Sequence, residues 1–346
     1  MRFHGSHTRT FDCVFQFALE NLSGSVTVMP AMPQFPIVDV VGVGLNATDT
    51  IIRLPCYPAS DTKLELIGSN VLPGGQIASA MVACQSWGLR TRYVGKVGND
   101  PAAKLQLEEL ARAGIESHVL EVLDSSSQIA YILIDERNGE RTVLWKRDPR
   151  LEFHPEELHQ AWVTQSKVLL VDGHDTASAA QAARWAKQAQ IPVVADIDNL
   201  YSGVEDLLEQ VDYLIASRDF PKRLLQVEDP LESLPEVARK FGCRLAGVTL
   251  GTGGVLCWNG ARFEYSPAFK VRAVDTTGAG DIFHAGFVYG LSKGLELNQI
   301  LKFSCAAAAL ACTAPGARGG IRPVAEIRDL MERGASYPAL YSISGL

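Results

Sequence analysis

Asp281 stands directly after the glycine turn Gly278-Ala279-Gly280, within the stretch DTTGAGDIFHAGF at residues 275–287. The residues that follow are apolar on almost every side, which predicts a buried helix starting near Ala279 or Gly280. A helix N-terminus carries free N–H groups and a partial positive charge, and glycine lets an anion approach the backbone. One interpretation is therefore an oxyanion site with Asp281 as proton acceptor. A tight turn before an acidic first-turn residue is the other, and these residues alone leave both open.

Five short apolar runs, each ending in Gly, Asp or Ser, are typical of strands that are buried on both faces of a sheet. They lie at residues 37–44, 168–173, 192–198, 212–217 and 245–251. Helical patterns, with apolar residues three or four apart, occur at 79–88, 102–114 and 176–190. This alternation predicts an α/β fold with a mostly parallel sheet and right-handed crossovers.

Two segments interrupt this alternation, at residues 48–68 and 127–145. The second places two β-rich runs around Asn138-Gly139, which is a hairpin signal. We expect both segments to supply strands of a small accessory sheet that covers a site. Arg141, Lys146 and Arg147 lie on or beside the hairpin and are expected to be solvated. The alternative is that one of them faces a carboxylate or phosphate of a substrate.

The composition is that of an ordinary globular protein, with 346 residues, 47% apolar, 21% charged and a net charge of -7. This acidic balance gives no global field that would attract nucleic acid or an anionic membrane. Seven scattered cysteines, never spaced as CxxC, favour a reducing cytoplasm over a disulfide framework or a zinc site. No apolar stretch reaches the length of a transmembrane helix. Residues 1–35 lack a secretory signal pattern and are expected to form a poorly ordered extension.

The string DTTGAGD with its apolar helix resembles the C-terminal signature of the PfkB/ribokinase-like family of carbohydrate kinases. Three other stretches resemble motifs of that family, in family order. They are the diglycine segment at 73–103, VTLGTGG at 248–254 and the Ala-rich run with its Pro-Gly-Ala turn at 306–323. The resemblance spans about residues 36–332 and implies a ribokinase-like kinase domain there, with a tail at 333–346. The implied fold is a three-layer sandwich with a mostly parallel sheet and a small β-sheet lid.

The resemblance assigns the chemistry of the DTTGAGD segment. Asp281 matches the base that deprotonates the acceptor hydroxyl, and Gly278, Ala279 and Gly280 match the anion hole for the transferring γ-phosphoryl group. Asp275 and Thr277 match positions where many members bind a monovalent cation, usually potassium. Backbone donors of this kind suit phosphoryl transfer, because its transition state spreads charge over the equatorial oxygens.

The resemblance also assigns residues to the acceptor and to the nucleotide. Asp49, in GLNATD, matches the acid that binds sugar hydroxyls, and Gly74 and Gly75 match the diglycine beside the sugar. Ser79 stands where the family usually has Asn, which leaves the hydroxyl pattern of the acceptor open. The implied nucleotide-binding residues are Thr249, Gly251, Gly254, Cys305, Ala308 and Gly316, of which Cys305 and Ala308 are expected to face adenine.

A second departure concerns magnesium. Many members have Asn-x-x-Glu in support of the magnesium-water network, and Ser217 and Phe220 stand at those two positions here. Asp219 or Asp196, both nearby, could take the role of the missing glutamate, and Mg²⁺ is expected to arrive mostly bound to nucleotide phosphates and water. Two histidines lie near the predicted site elements. His284 is expected to be a satisfied core residue, whereas His174 follows a strand end, where α/β folds bind ligands.

The function expected from the resemblance is ATP-dependent phosphorylation of a hydroxyl on a sugar or sugar-like compound, such as fructose or ribose. Two alternatives stay open: a nucleoside kinase of the same fold, which aromatic lid residues such as Tyr57, Tyr131 or Trp145 would favour by stacking on a base, and a catalytically silent scaffold or sensor. The implied cofactors are ATP, Mg²⁺ and K⁺. The expected partners are a small-molecule substrate and a second copy of the chain, bound through the lid, with no nucleic acid or membrane.

Overall fold

The computed structural model describes residues 35–137 and 141–342. The predicted N-terminal extension and the hairpin turn at Asn138-Gly139 therefore lie outside the described residues, apart from Phe35. Within the described ranges, no helix is both long and apolar enough to cross a lipid bilayer.

The main sheet has nine strands in the order β13-β12-β11-β10-β9-β8-β1-β4-β5. All neighbours from β11 to β5 run parallel, and the β12–β13 hairpin adds two antiparallel strands at one edge. The predicted α/β fold is confirmed. The bounds are β1 Val38–Val43, β4 Thr91–Gly98, β5 Glu116–Val122, β8 Ser166–Asp172, β9 Val193–Ile197, β10 Tyr213–Ser217, β11 Leu245–Thr249, β12 Val255–Trp258 and β13 Phe263–Ser266.

Helices cover both faces of this sheet. One face carries α1 Gln76–Ser86, α2 Pro101–Arg112, α8 Ala279–Ser292, α9 Leu297–Ala311 and α11 Val324–Arg333. The other face carries α3 Gln160–Thr164, α4 Thr176–Gln188, α5 Val204–Leu208, α6 Phe220–Leu225 and α7 Pro230–Phe241. Successive strand residues such as Val40 and Val41 point into opposite helical layers, which is why the strands read as continuous apolar runs. The short helix α10, Gly316–Gly319, lies near the smaller sheet.

The smaller sheet, called the lid below, has four strands in the order β3-β2-β6-β7. They are β2 Ala47–Leu54, β3 Gly68–Gly74, β6 Ile129–Asp135 and β7 Arg141–Lys146. The first accessory segment differs from expectation, because it supplies only β2 before residue 68, and β3 begins where that segment ends. Pro55 and Pro58 explain the irregular stretch, since proline cannot donate a ladder hydrogen bond.

Register puts one row of side chains across the lid. Leu72, Asp49, Ala130 and Trp145 are directly opposite one another on the four strands. Ala130 packs with Ile51 and Leu72 in the lid's own apolar cluster. Because successive residues of a strand alternate between faces, the next row turns the other way and contains Val71, Thr50, Tyr131 and Leu144. We call the Asp49 face the inner face of the lid.

Arg92 on β4 is a buried cation whose hydrogen bonds connect three parts of the main domain. Its side chain is 0% exposed. The guanidinium donates to Glu116 Oε1 at 2.7 Å on β5, to the Trp162 carbonyl at 2.8 Å on α3 and to the Pro36 carbonyl at 2.8 Å. These partners satisfy the charge inside the core, which a buried ion pair requires.

We predict that Arg92→Met destabilises the protein by about 3–5 kcal/mol, because Glu116 and the carbonyls lose their buried partner. The matched control is Arg90→Met, two residues earlier, where the side chain is 65% exposed. That change is expected to stay within about 0.5 kcal/mol. Urea denaturation of both variants measures the difference, and equal losses would contradict this account of Arg92.

Candidate active site

The N-terminus of helix α8 is open to an anion. Gly278 is its N-cap residue with φ 76°, a left-handed conformation that favours glycine. A Cβ there would lie 2.5 Å from the Ala317 Cα atom, so the close approach also excludes a side chain. Among the described residues, the N–H groups of Gly278, Gly280 and Asp281 have no backbone or side-chain acceptor. A Cβ on Gly280 would meet no atom within 4 Å, so there is free space beside these donors.

Asp281, in the first turn of α8, is partly buried beside these N–H groups. The pKa of its carboxyl group is raised to about 7, chiefly by burial and then by the nearby Asp196 and Asp198 carboxylates, while His284 and Arg141 oppose the rise. A carboxylate with a pKa near the working pH is suited to general base catalysis.

Asp49 lies against the diglycine at the end of β3. A Cβ on Gly74 would fall 2.0 Å from Asp49 Oδ2, so only glycine leaves room for this carboxylate. Gly75 has φ 88°, and a Cβ there would lie 2.5 Å from the Asn46 Cα atom. The pKa of Asp49 is raised to about 7, chiefly by burial and then by Asp281, while Arg318 opposes the rise. The structure thus brings the predicted acceptor residue and the predicted base within electrostatic range of each other.

Arg318 is a site residue that the sequence reasoning missed. It lies on α10 and donates to the Gly74 carbonyl at 2.6 Å, to Asn46 Oδ1 at 3.3 Å and to Ser79 Oγ at 3.2 Å. Burial lowers the pKa of its guanidinium to about 10, while Asp49 opposes that change. Ser79 is fully buried on α1 beneath this contact. Ser79, at a position where the family usually has Asn, is the one signal in the sequence that this part of the site differs from that of most family members.

Asp275 connects the loop before α8 to the loop before α10. Its Oδ1 accepts from the Thr277 N–H at 2.9 Å, and its Oδ2 accepts from the Gly316 N–H at 2.8 Å. Within the described part of the chain, the buried Thr277 Oγ1 has no hydrogen-bond partner. Each carboxylate oxygen keeps a second lone pair. These oxygens fit a cation such as K⁺. Gly316, which the resemblance assigns to the nucleotide, lies beside Asp275 and beside Leu72 of the lid.

The predicted nucleotide residues gather around the β12–β13 hairpin. Thr249 ends β11, and a Cβ on the exposed Gly251 would meet no atom within 4 Å. Gly254 has φ 82°, and a Cβ there would lie 2.0 Å from the Ser266 carbonyl oxygen. The buried Cys305 thiol on α9 contacts that same oxygen at 3.8 Å, and burial raises its pKa to about 12. Ala308, one turn further along α9, is half-buried.

The two residues at the family's magnesium-supporting positions, Ser217 and Phe220, make other contacts in this structure. Ser217 Oγ donates to the Asp198 carbonyl at 3.0 Å, and Phe220 is buried in the core. No group of three or more His, Cys, Asp or Glu side chains able to hold a metal ion occurs in residues 35–137 and 141–342. A magnesium cage made only of protein ligands therefore does not fit the described residues.

The lid contributes one cation and one aromatic ring. Arg141 on β7 donates to Thr276 Oγ1 in the DTTGAGD segment. Trp145, on the inner face, meets the His174 ring edge-on, with 5.8 Å between the ring centroids. The ring centroids of His174 and Tyr201 are 5.1 Å apart. Arg147 instead pairs with Asp175 at 2.7 Å, and Lys146 is exposed. Arg141 and Lys146 are exposed, as expected for solvated charges, whereas the expectation is wrong for Arg147, which is half-buried beside Asp175.

Comparisons with known proteins identify the family and the fold. The family model described as pfkB family carbohydrate kinase matches residues 48–323. A ribokinase of Lactococcus lactis is 25% identical over 292 residues, covering 83% of this chain and 94% of the relative. An ATP-dependent ribose-1-phosphate kinase of Halopiger xanaduensis is 26% identical over 300 residues, covering 86% and 99%. The crystal structure of a putative ribokinase from Agrobacterium tumefaciens is 26% identical, has a TM-score of 0.80 and covers 86% of this chain and 98% of its own.

The chain belongs to the pfkB family of carbohydrate kinases. It is an ATP-dependent carbohydrate kinase with the ribokinase fold. The relatives are named as kinases, so the missing Asn-x-x-Glu is the only observation left in support of the silent scaffold.

We predict that Gly74→Ala raises the KM for the sugar acceptor, because the new methyl group displaces the Asp49 carboxylate. The added atom should also cost about 1–3 kcal/mol of stability through overpacking. Gly68→Ala, at the other end of β3, is the matched control, because a Cβ there meets no atom within 4 Å. Steady-state kinetics and thermal unfolding measure both effects. An unchanged KM in Gly74→Ala would show that Asp49 does not depend on this glycine.

Proposed function

We propose that this kinase transfers the γ-phosphoryl group of ATP to a hydroxyl of a monosaccharide or sugar-like compound, with Asp281 as general base. The single observation that carries the proposal is the arrangement at the start of α8. Three N–H groups without acceptors among the described residues border free space beside a carboxyl group with a pKa of about 7. A base next to an anion hole is what phosphoryl transfer to an alcohol requires.

In the proposed reaction, Asp281 accepts the proton of the acceptor hydroxyl as that oxygen forms a bond to the γ-phosphorus. The bond from phosphorus to the bridging oxygen breaks, and ADP leaves with that electron pair. The N–H groups of Gly278, Gly280 and Asp281 donate to the equatorial oxygens, where the charge accumulates. The Ala279 N–H already donates to the Thr276 carbonyl at 3.3 Å, so Ala279 is not one of these donors. Arg141, already in contact with Thr276, adds positive charge at the same place.

Asp49 is proposed to bind the hydroxyls of the acceptor. A carboxylate accepts hydrogen bonds from adjacent hydroxyls, and Gly74 and Gly75 leave room for a sugar close to the backbone. Arg318 positions the diglycine by donating to the Gly74 carbonyl, and its Nε–H also donates to Ser79 Oγ, which holds the guanidinium in place. The inner face of the lid covers the acceptor and excludes water, which would otherwise compete as a nucleophile.

Two cations and the nucleotide complete the proposal. Mg²⁺ would arrive bound to the phosphates of ATP and to water, and would supply positive charge beside the transferring group. Asp275 and Thr277 would hold K⁺, which adds positive charge near the anion hole. Thr249, Gly251 and Gly254 border the nucleotide, and Cys305 and Ala308 form the apolar wall against adenine.

Homodimerisation through the lid stays a prediction. The outer face of the lid exposes three large apolar side chains, Val71, Tyr131 and Leu144. Such a patch is suited to a second copy of the sheet.

Asp281→Asn is expected to reduce kcat about 10²–10⁴-fold, because the amide cannot accept the hydroxyl proton. Asp206→Asn is the control, since Asp206 is also an acid in the first turn of a helix but is exposed on α5. That variant should keep the wild-type rate. Coupled detection of ADP release measures both, and circular dichroism confirms the fold. A near wild-type rate in Asp281→Asn would refute the assignment of the base.

A nucleoside kinase is the second candidate, and one observation favours it. Trp145, His174 and Tyr201 form an aromatic group at the inner face of the lid, where a base could stack. In contrast, Tyr131 lies in the outward row, and Tyr57 donates to Leu133 and Thr142 at the edge of the lid.

An acceptor panel separates the two candidates. We predict the highest kcat/KM with a monosaccharide, and low rates with adenosine, inosine and cytidine. If a nucleoside is preferred instead, Trp145→Ala should raise its KM about tenfold, because base stacking is lost. Tyr131→Ala, on the outer face, is the control and should leave that KM unchanged. A preference for nucleosides together with this response would replace the sugar kinase by the nucleoside kinase.

A further inference from the structure

His284 lies one helical turn behind Asp281 and is only 2% exposed. Its Nδ1 atom is 2.8 Å from the Gly280 carbonyl oxygen, and its Nε2 atom is 2.9 Å from the Ile215 carbonyl oxygen on β10. Asp196 Oδ2, at the end of β9, is 3.3 Å from Nδ1. The imidazole thus joins the catalytic helix to two central strands of the main sheet.

The two carbonyl contacts decide the protonation state of this ring. A carbonyl oxygen only accepts hydrogen bonds, and a neutral imidazole has one N–H and one bare nitrogen. A neutral His284 would therefore direct a lone pair at a carbonyl oxygen less than 3 Å away. Only the imidazolium donates from both nitrogens. The buried carboxylate of Asp196 supplies the opposite charge that a buried cation needs.

Opposing effects act on this pair. The pKa of His284 lies below its ordinary value, because burial outweighs the two carbonyl oxygens and Asp281, which raise it. Burial and Asp198 raise the pKa of Asp196 well above its ordinary value. Burial alone therefore favours the neutral forms of both groups, with the proton on Asp196. The contact geometry favours the ion pair instead, because a neutral His284 would leave one of its two carbonyl contacts without a donor.

We propose that His284 is an imidazolium ion, paired with Asp196, and that it is a positioning residue that keeps Asp281 ionised and fixes the first turn of α8. This inference rests on the proposed role of Asp281 as the base. The proton that Asp281 accepts during turnover leaves to solvent, and the ion pair behind it is unchanged.

Other charged groups also face Asp281 and set the background for this effect. Asp196 and Asp198 at the end of β9, and Asp49 on β2, are negative, while Arg141 on β7 and Arg318 on α10 are positive. His284 is the cation on the same helix. Replacing it by a neutral side chain removes one positive charge about one turn away, which makes Asp281 easier to protonate.

The first test is the pH dependence of kcat in His284→Asn and His284→Gln, which each restore one donor without the charge. The acid limb should move to higher pH by about one unit, so the rate falls about tenfold at a pH on that limb but much less at high pH. His118→Asn is the matched control, because His118 also pairs with an acid, Glu116 at 2.9 Å, but lies on the edge strand β5. A parallel loss at every pH, or an unchanged profile, would overturn the proposal.

The second test needs no substrate. NMR of protein labelled with ¹⁵N-histidine, assigned by comparison with His284→Gln, should show both ring nitrogens of His284 protonated at neutral pH. A spectrum with one bare nitrogen would overturn the imidazolium even in an active enzyme. If no acceptor is phosphorylated, the proposed function fails, while this spectrum still decides the charge of His284. Thermal unfolding of each variant separates misfolding from the electrostatic effect.

Discussion

The carboxylate of Asp275 is the contact on which the arrangement of the site depends. It accepts the N–H groups of Thr277 and Gly316, and so joins the loop before α8 to the loop before α10. Gly316 in turn lies against Leu72 of the lid, and Arg318 reaches from α10 to the Gly74 carbonyl. One buried acid therefore connects the anion hole to the strand that ends beside Asp49. Because both oxygens are engaged, neither loop can shift without leaving a buried acceptor unpaired.

Electrostatics then gives the site its chemical character. The pKa values of Asp281 and Asp49 are both raised to about 7, chiefly by burial, with smaller contributions from neighbouring carboxylates. The positive groups that oppose this rise come from three separate elements, namely Arg141 on the lid, Arg318 on α10 and His284 on α8. The free N–H groups at the start of α8 also favour the ionised form of Asp281 and so lower its pKa. The Asp281 carboxyl group is therefore only partly protonated near neutral pH, which suits a group that accepts a proton there.

Much of this could be predicted from the sequence because the relevant signals are local. The parallel strands appear as continuous apolar runs, and the glycine turn before a buried helix identifies the start of α8. The rest depends on contacts between distant residues. Arg318 meets Ser79 across 239 positions of the chain, and His284 meets Ile215 on another strand, so no spacing pattern reveals either contact. The start of β3 was also missed, because its register is set by pairing with β2 rather than by its own sequence.

The central claim is that Asp281 faces the acceptor hydroxyl while the N–H groups beside it hold the transferring group. A crystal structure with ADP, Mg²⁺, aluminium fluoride and the preferred acceptor tests it directly, because the fluoride complex is an analogue of the phosphoryl group in the transition state. The account predicts the aluminium fluoride within hydrogen-bond distance of the Gly278, Gly280 and Asp281 N–H groups. It also predicts the acceptor oxygen about 2.6–3.2 Å from an Asp281 oxygen. An acceptor hydroxyl directed at another base, or a fluoride complex bound away from these N–H groups, would contradict it.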